Sequence, residues 1–160
     1  MKEIVYEYLK ALNIEFEIQD HPALYTCADN DKYGLVFDAM LAKNLFVKNK
    51  NKTKYYLISM PVDKQMRLSD LAIKLKEQKL SFASEEDLLA RLKIKPGAVS
   101  ILNVIGADLS DVICVVDSML INADKVGFHP NDNTATIIFN GNKIENILKN
   151  QDAIYHFMDI

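Results

Sequence analysis

Residues 42–60 constrain the fold more than any other stretch of the chain. The run Lys43-Asn44-Leu45-Phe46-Val47 leads into the polar segment Lys48-Asn49-Lys50-Asn51-Lys52, and a second, largely apolar run follows over residues 53–60. Two such runs around a short polar break predict a β-hairpin. The break contains no Asn-Gly or Gly-rich pair, so its loop is expected to be longer than the tight two-residue type.

The rest of the chain mixes helical and strand patterns. Ile4, Val5, Tyr8, Leu9 and Leu12 recur at helical spacing over residues 2–12, whereas residues 14–18 alternate apolar and charged side chains as a half-buried strand does. A polar loop is expected over 19–34 and a short helix over 35–40. Ser69-Asp70 is placed to cap a helix over 70–77, and Ser84 to cap one over 85–92 with Asp87 at capping-box distance. Lys95-Pro96-Gly97 is expected to stop that helix, ahead of an apolar stretch from Ala98 to Ile105. Strands are predicted at 112–117, 134–139 and 153–158, with a short segment near Leu120-Ile121 and a helix at 142–150. No regular βαβ alternation runs through this order, which favours an α+β fold with a mixed, curved sheet over a doubly wound one.

At 160 residues, with no Pro/Gly linker, repeat or low-complexity segment, the chain is expected to form a single domain over 1–160. Its 49% hydrophobic and 26% charged residues fit a soluble globular protein. The formal net charge of −3 argues against a protein that coats nucleic acid non-specifically, DNA included, but leaves room for a local basic patch. Cys27 and Cys114 stand in no zinc-type or CxxC spacing and read as reduced thiols, Cys114 as a buried one within Val-Ile-Cys-Val-Val. No signal-peptide pattern opens the sequence and no apolar stretch is long enough to span a bilayer, so no membrane association and a cytoplasmic location are expected.

The common catalytic signatures are absent: no phosphate-binding glycine loop, no nucleophile elbow and no HExxH. No metal site or cofactor is expected. Lys43-Asn44 places an ammonium group at the start of an otherwise apolar strand. It can be a lysine that snorkels to solvent, or a cation aimed at a phosphate or carbonyl in a cleft, where low dielectric strengthens it. Gly127-Phe128-His129-Pro130-Asn131-Asp132-Asn133 reads either as a turn leading into the strand Thr134–Phe139 or as a segment that presents His129 to a ligand. Lys95-Pro96-Gly97-Ala98-Val99-Ser100 reads as a helix stop, or as a loop whose Gly97 amide approaches a substrate carbonyl.

Taken together and in order, these segments resemble the YbaK-type editing domains that also occur inserted in bacterial prolyl-tRNA synthetases. The likeness is strongest to the free-standing Ala-tRNA(Pro) deacylases. It is carried by His21-Pro22-Ala23 with Tyr25-Thr26, Ala42–Val47, Tyr55-Tyr56-Leu57, Leu80–Ser84, Lys95–Ser100, Phe128–Asn131 and Asn133–Thr136. The resemblance implies a barrel-like mixed sheet flanked by helices, and hydrolysis of a mischarged aminoacyl ester with help from the 2′-hydroxyl of the terminal adenosine. It also implies Lys43, Asn44 and Gly97 at the reacting centre and His129 lining the amino-acid pocket. Ala98, Val99, Ser100 and Thr26 are expected beside the substrate. The implied partners are the acceptor end of a mischarged tRNA and, through the family, prolyl-tRNA synthetase. Lys48, Lys50, Lys52 and Lys54 could touch the acceptor stem, or simply solvate the hairpin turn.

One departure stands out. Ile101 occupies the position of a proline in the family's substrate-facing loop, and Asn103 that of a small residue. This leaves two further readings beside Ala-tRNA(Pro) editing: deacylation of a different mischarged tRNA, and a non-catalytic module that binds aminoacyl-tRNA or a synthetase.

Overall fold

A computed structural model gives the arrangement of residues 2–24, 29 and 32–160. It contains helices α1 (Lys2–Ala11), α2 (Leu68–Lys74), α3 (Glu85–Leu92), α4 (Ser118–Ile121) and α5 (Ile144–Asn150). The strands are β1 (Phe16–Asp20), β2 (Met40–Asn49), β3 (Tyr55–Pro61), β4 (Leu80–Phe82), β5 (Val112–Asp117), β6 (Val126–Phe128), β7 (Ala135–Phe139) and β8 (Ile154–Met158).

The hairpin is the centre of the sheet. β2 and β3 pair antiparallel from Ala42↔Pro61 to Lys48↔Tyr55, and the full order is β1-β7-β6-β2-β3-β5-β8, with β4 added to β2. β2–β6, β3–β5 and β5–β8 are parallel, and the remaining pairs antiparallel. The sheet is therefore mixed, as expected, but open: among the described residues β1 and β8 end the order and do not pair with each other. The barrel-like expectation thus gives way to an open mixed sheet flanked by helices.

Every residue of β3 is buried. Tyr55 and Leu57 point into the larger core, with α1, α3 and α5, while Tyr56, Ile58 and Met60 join Leu71 and Ala72 of α2 in a smaller one. A central strand covered on both faces reads as a near-continuous apolar run, which Tyr55–Met60 shows in sequence with Ser59 as its single polar residue.

Several local expectations are corrected. Residues 35–39 form no helix: Val36 is 84% exposed, and the Met40 amide donates to the Lys125 carbonyl instead, opening β2. Helix α2 starts at Leu68, and its N-cap Arg67 makes no side-chain cap bond, so Ser69-Asp70 lies within the first turn. Burial of Leu71 and Ala72 sets this helix, overriding the capping signal. Helix α3 has the Ser84–Asp87 capping box, but Lys93 at φ 57° ends it before Lys95-Pro96-Gly97 is reached. The first strand lies at Phe16–Asp20 with Ile18 exposed, while Ile14 reaches the core from the preceding turn. Residues 101–104 form a buried 3-10 turn.

Candidate active site

The edge of β2 opposite β3 is divided between two strands. β6 pairs with Met40 and Leu41, β4 pairs with Val47 to Asn49, and the Ala83 amide reaches the Phe46 carbonyl. Between them Lys43, Asn44 and Leu45 have β3 as their only strand partner among the described residues. Antiparallel alternation turns the Lys43 and Leu45 backbone groups toward β3 and those of Asn44 toward the open edge, where they are available to a ligand. A cleft of about 250 Å³ opens there, bordered by Lys43, Asn44, Gly97, Val99 and His129.

Lys43 is half-buried, and its Nζ donates to the backbone carbonyl of Lys64. The Lys64 side chain turns elsewhere, donating to the fully buried Asp117 carboxylate at 2.6 Å and to Asp159 at 3.1 Å. The bond to Asp117 holds the Lys64 ammonium above its ordinary pKa against the opposing effect of burial. Asn44 is oriented by the buried Ser59 hydroxyl, which donates to its Oδ1.

Gly97 has φ 93°, a region that favours glycine and strains any side chain, and it borders the cleft. Gly127 is constrained differently: a Cβ there would stand 2.6 Å from Leu41 Cδ2 and 3.2 Å from Thr136 Cγ2. Its missing side chain lets β6 close onto the floor of the cleft.

His129 follows β6, and its Nδ1–H donates to the Ala135 carbonyl at 3.1 Å, which leaves Nε2 as an acceptor in the neutral ring. Burial lowers its pKa below the ordinary histidine value; the Ala135 carbonyl opposes this and nearby His21 adds to it. The His21 and His129 rings lie edge to face at 6.1 Å. His21 is buried, with Nδ1 on the Pro22 carbonyl at 2.9 Å and Nε2 on the Thr136 hydroxyl at 2.8 Å.

The structure thus brings Lys43, Asn44, Gly97, Val99 and His129 to one cleft. Ala98 and Ser100 are buried and do not border it; Ser100 caps the 3-10 turn by accepting from the Leu102 amide. Thr26 lies outside the described residues. Lys48 is held by Asp87 at 3.1 Å, while Lys50, Lys52 and Lys54 are exposed around the hairpin turn, and none of the four lines the cleft. Ile101 is buried in the core. Phe37, Leu41 and Val62 also line the cleft and were not singled out in the sequence, and Thr136, part of the Asn133–Thr136 match, lines it as well.

Among the described residues no three His, Cys, Asp or Glu side chains converge as a metal site. Cys114 is buried, its thiol pushed up to about 12, and so is held protonated at neutral pH. The cleft is lined by a lysine ammonium, an asparagine amide, a glycine at positive φ and an imidazole whose pKa burial lowers. These groups can bind and polarise an ester and position water, without a covalent nucleophile.

Residues 21–147 match the family described as aminoacyl-tRNA editing domain. The chain belongs to that family. Its activity is that of an aminoacyl-tRNA deacylase, an ester hydrolase. Among similar proteins, the prolyl-tRNA editing protein ProX of Acetoanaerobium sticklandii is 33% identical over 148 residues, covering 92% of this chain and 90% of its own length. The mouse prolyl-tRNA synthetase associated domain-containing protein 1 is 35% identical over 133 residues, covering 81% and 78%. A solved structure described as a candidate trans-editing enzyme for prolyl tRNA synthetase has the same fold. It gives a TM-score of 0.69 at 14% identity, over 99% of this chain and 96% of that one. No described helix is long and apolar enough to cross a membrane.

Proposed function

We propose that this editing domain acts in trans on mischarged tRNA, with Ala-tRNA(Pro) as its first substrate. The observation that carries the reading is the meeting of Lys43, Asn44, Gly97 and His129 around one small cleft whose other walls are largely apolar. The Lys43 ammonium exchanges the Lys64 carbonyl for the terminal phosphate or backbone of the acceptor end. Gly97 and neighbouring amides polarise the ester carbonyl, and water attacks with assistance from the ribose 2′-hydroxyl. Asn44 supports the reacting end beside Lys43.

His129 and the apolar walls receive the amino-acid side chain. Discrimination by one methylene in an apolar pocket is worth only about 1–3 kcal/mol, so exclusion of proline by size is the stronger sieve. The acceptor stem extends toward the hairpin turn, where Lys50, Lys52 and Lys54 are free to meet phosphates. Prolyl-tRNA synthetase is the proposed protein partner, since both named relatives above carry prolyl-tRNA in their names.

Single-turnover deacylation of Ala-, Ser-, Cys- and Pro-tRNA(Pro) tests the reading. Hydrolysis of the alanyl ester well above the buffer rate, with prolyl ester spared, is the expected result. A faster rate on another ester would move the specificity, and no acceleration on any would leave a binding module in place of an enzyme.

A further inference from the structure

Asn103 stands out because it is only 1% exposed, in a stretch otherwise dominated by apolar side chains, and yet is fully engaged in hydrogen bonds. Its Oδ1 accepts from the Ser100 amide at 2.6 Å, and its Nδ2 donates to the Ala98 carbonyl at 3.2 Å. The same Nδ2 donates to Asn131 Oδ1 at 2.7 Å, across 28 residues of sequence. A buried amide with a missing partner is costly, so the geometry of all three bonds is strongly enforced.

Two of these bonds shape the loop that begins at Gly97, and the third ties it to the loop that follows His129. Asn131 has φ 61°, a left-handed conformation in which asparagine is enriched, and this backbone presents its side chain to Asn103. Asn133 extends the same strapping by donating from Nδ2 to the Leu24 carbonyl at 2.9 Å, and Leu24 borders the cleft.

We propose that Asn103, acting through Asn131, is a positioning residue that fixes the distance between the Gly97 amide and the His129 ring. It touches no substrate. It sets the separation of the group that polarises the ester from the group that receives the amino acid. The proposal rests on the cleft being the deacylation site.

The test compares Asn131→Gly with Asn131→Asp. The first keeps the left-handed backbone and removes the acceptor; the second keeps an acceptor for the Asn103 Nδ2–H. Single-turnover rates at saturating enzyme, half-saturating concentrations and amide exchange over residues 97–103 are read for both. Asn131→Gly is expected to lower the saturating rate about tenfold with the half-saturating concentration moving less than about threefold, as misplacement of groups already bound implies. Amide exchange over 97–103 should accelerate in the same variant, and Asn131→Asp should restore both readouts. Equal behaviour of the two variants, or a lost rate with unchanged exchange at 97–103, would overturn the clamp. If the unaltered protein hydrolyses no aminoacyl-tRNA, the functional reading fails and the positioning role falls with it. That case is told apart from an active protein that is indifferent to Asn131→Gly.

Discussion

Lys43 and Lys48 lie five residues apart on β2 and have opposite surroundings. Lys48, 17% exposed, ends on the Asp87 carboxylate, which also caps α3, accepts from the Tyr55 hydroxyl at 3.0 Å and lies 3.4 Å from Arg91. Arg91 stacks over the Tyr55 ring at 3.6 Å and forks onto Asp111. Every charge in this cluster has a partner of opposite sign. Among the described residues Lys43 donates to a neutral carbonyl and pairs with no carboxylate, and it borders a cleft that Gly97 and His129 also line. A charge already neutralised by its neighbours stabilises the fold, whereas a charge held by a neutral group can exchange that group for an anion. On the proposed function, Lys48 is a structural lysine and Lys43 a functional one on the same strand.

The Asp87 cluster gives the largest expected effect. Asp87→Ala should destabilise the protein by about 3 kcal/mol in chemical denaturation, from loss of the cap and of the charged hydrogen bonds together. The deacylation rate per folded molecule should be unchanged. Burial tends to raise the Asp87 pKa, but the Ser84 amide, Lys48, the Ser84 hydroxyl and Tyr55 outweigh it and hold the carboxyl well below the usual range. Its stabilisation is therefore complete above the unfolded carboxylate pKa and is lost as pH falls toward the depressed folded value. Denaturation at decreasing pH should show the unaltered protein losing stability faster than Asp87→Asn.

His129 gives an intermediate effect on the functional side. Its folded pKa lies below the ordinary value, so between the two values the unfolded chain binds a proton that the folded protein does not, and stability rises with pH in that window. The acid limb of the single-turnover rate should therefore fall below the ordinary histidine midpoint. His129→Gln should remove that limb; a limb that persists unchanged would assign it to another group.

The smallest effect is expected at the hairpin turn. Replacing Lys50, Lys52 and Lys54 together by alanine should weaken tRNA binding about threefold and flatten its salt dependence. An unchanged salt slope would leave these lysines as solvated turn residues, on the same side of the comparison as Lys48.

Features set by neighbouring residues were legible in the sequence. The Ser84–Asp87 capping box, the hairpin and the strands near 112–117 and 135–139 all depend on local pattern. The three-residue strands β4 and β6 were not, because each exists through pairing with β2 and is too short to show alternation. Their absence from the sequence reading also hid the divided edge of β2, and with it the reason the cleft lies at Lys43. Lys43, Gly97 and His129 stood out through ordered resemblance, since each alone reads as an ordinary strand end or turn. His21 backs the cleft-lining Thr136 only when β1 and β7 pair and bring residues 20 and 135 together. Ile101, which the resemblance sets against a family proline, has its side chain in the core, and Ser100 and Asn103 hold the loop there.

The most direct test measures single-turnover deacylation of Ala-tRNA(Pro) and thermal stability side by side for Lys43→Ala and Lys48→Ala. Lys43→Ala should lose about 100-fold in rate, the scale of removing one preorganised electrostatic contact, with little change in melting temperature. Lys48→Ala should melt earlier and keep its rate while folded. A Lys43→Ala protein that is fully active, or a folded Lys48→Ala protein that is not, would contradict the assignment of the site to Lys43.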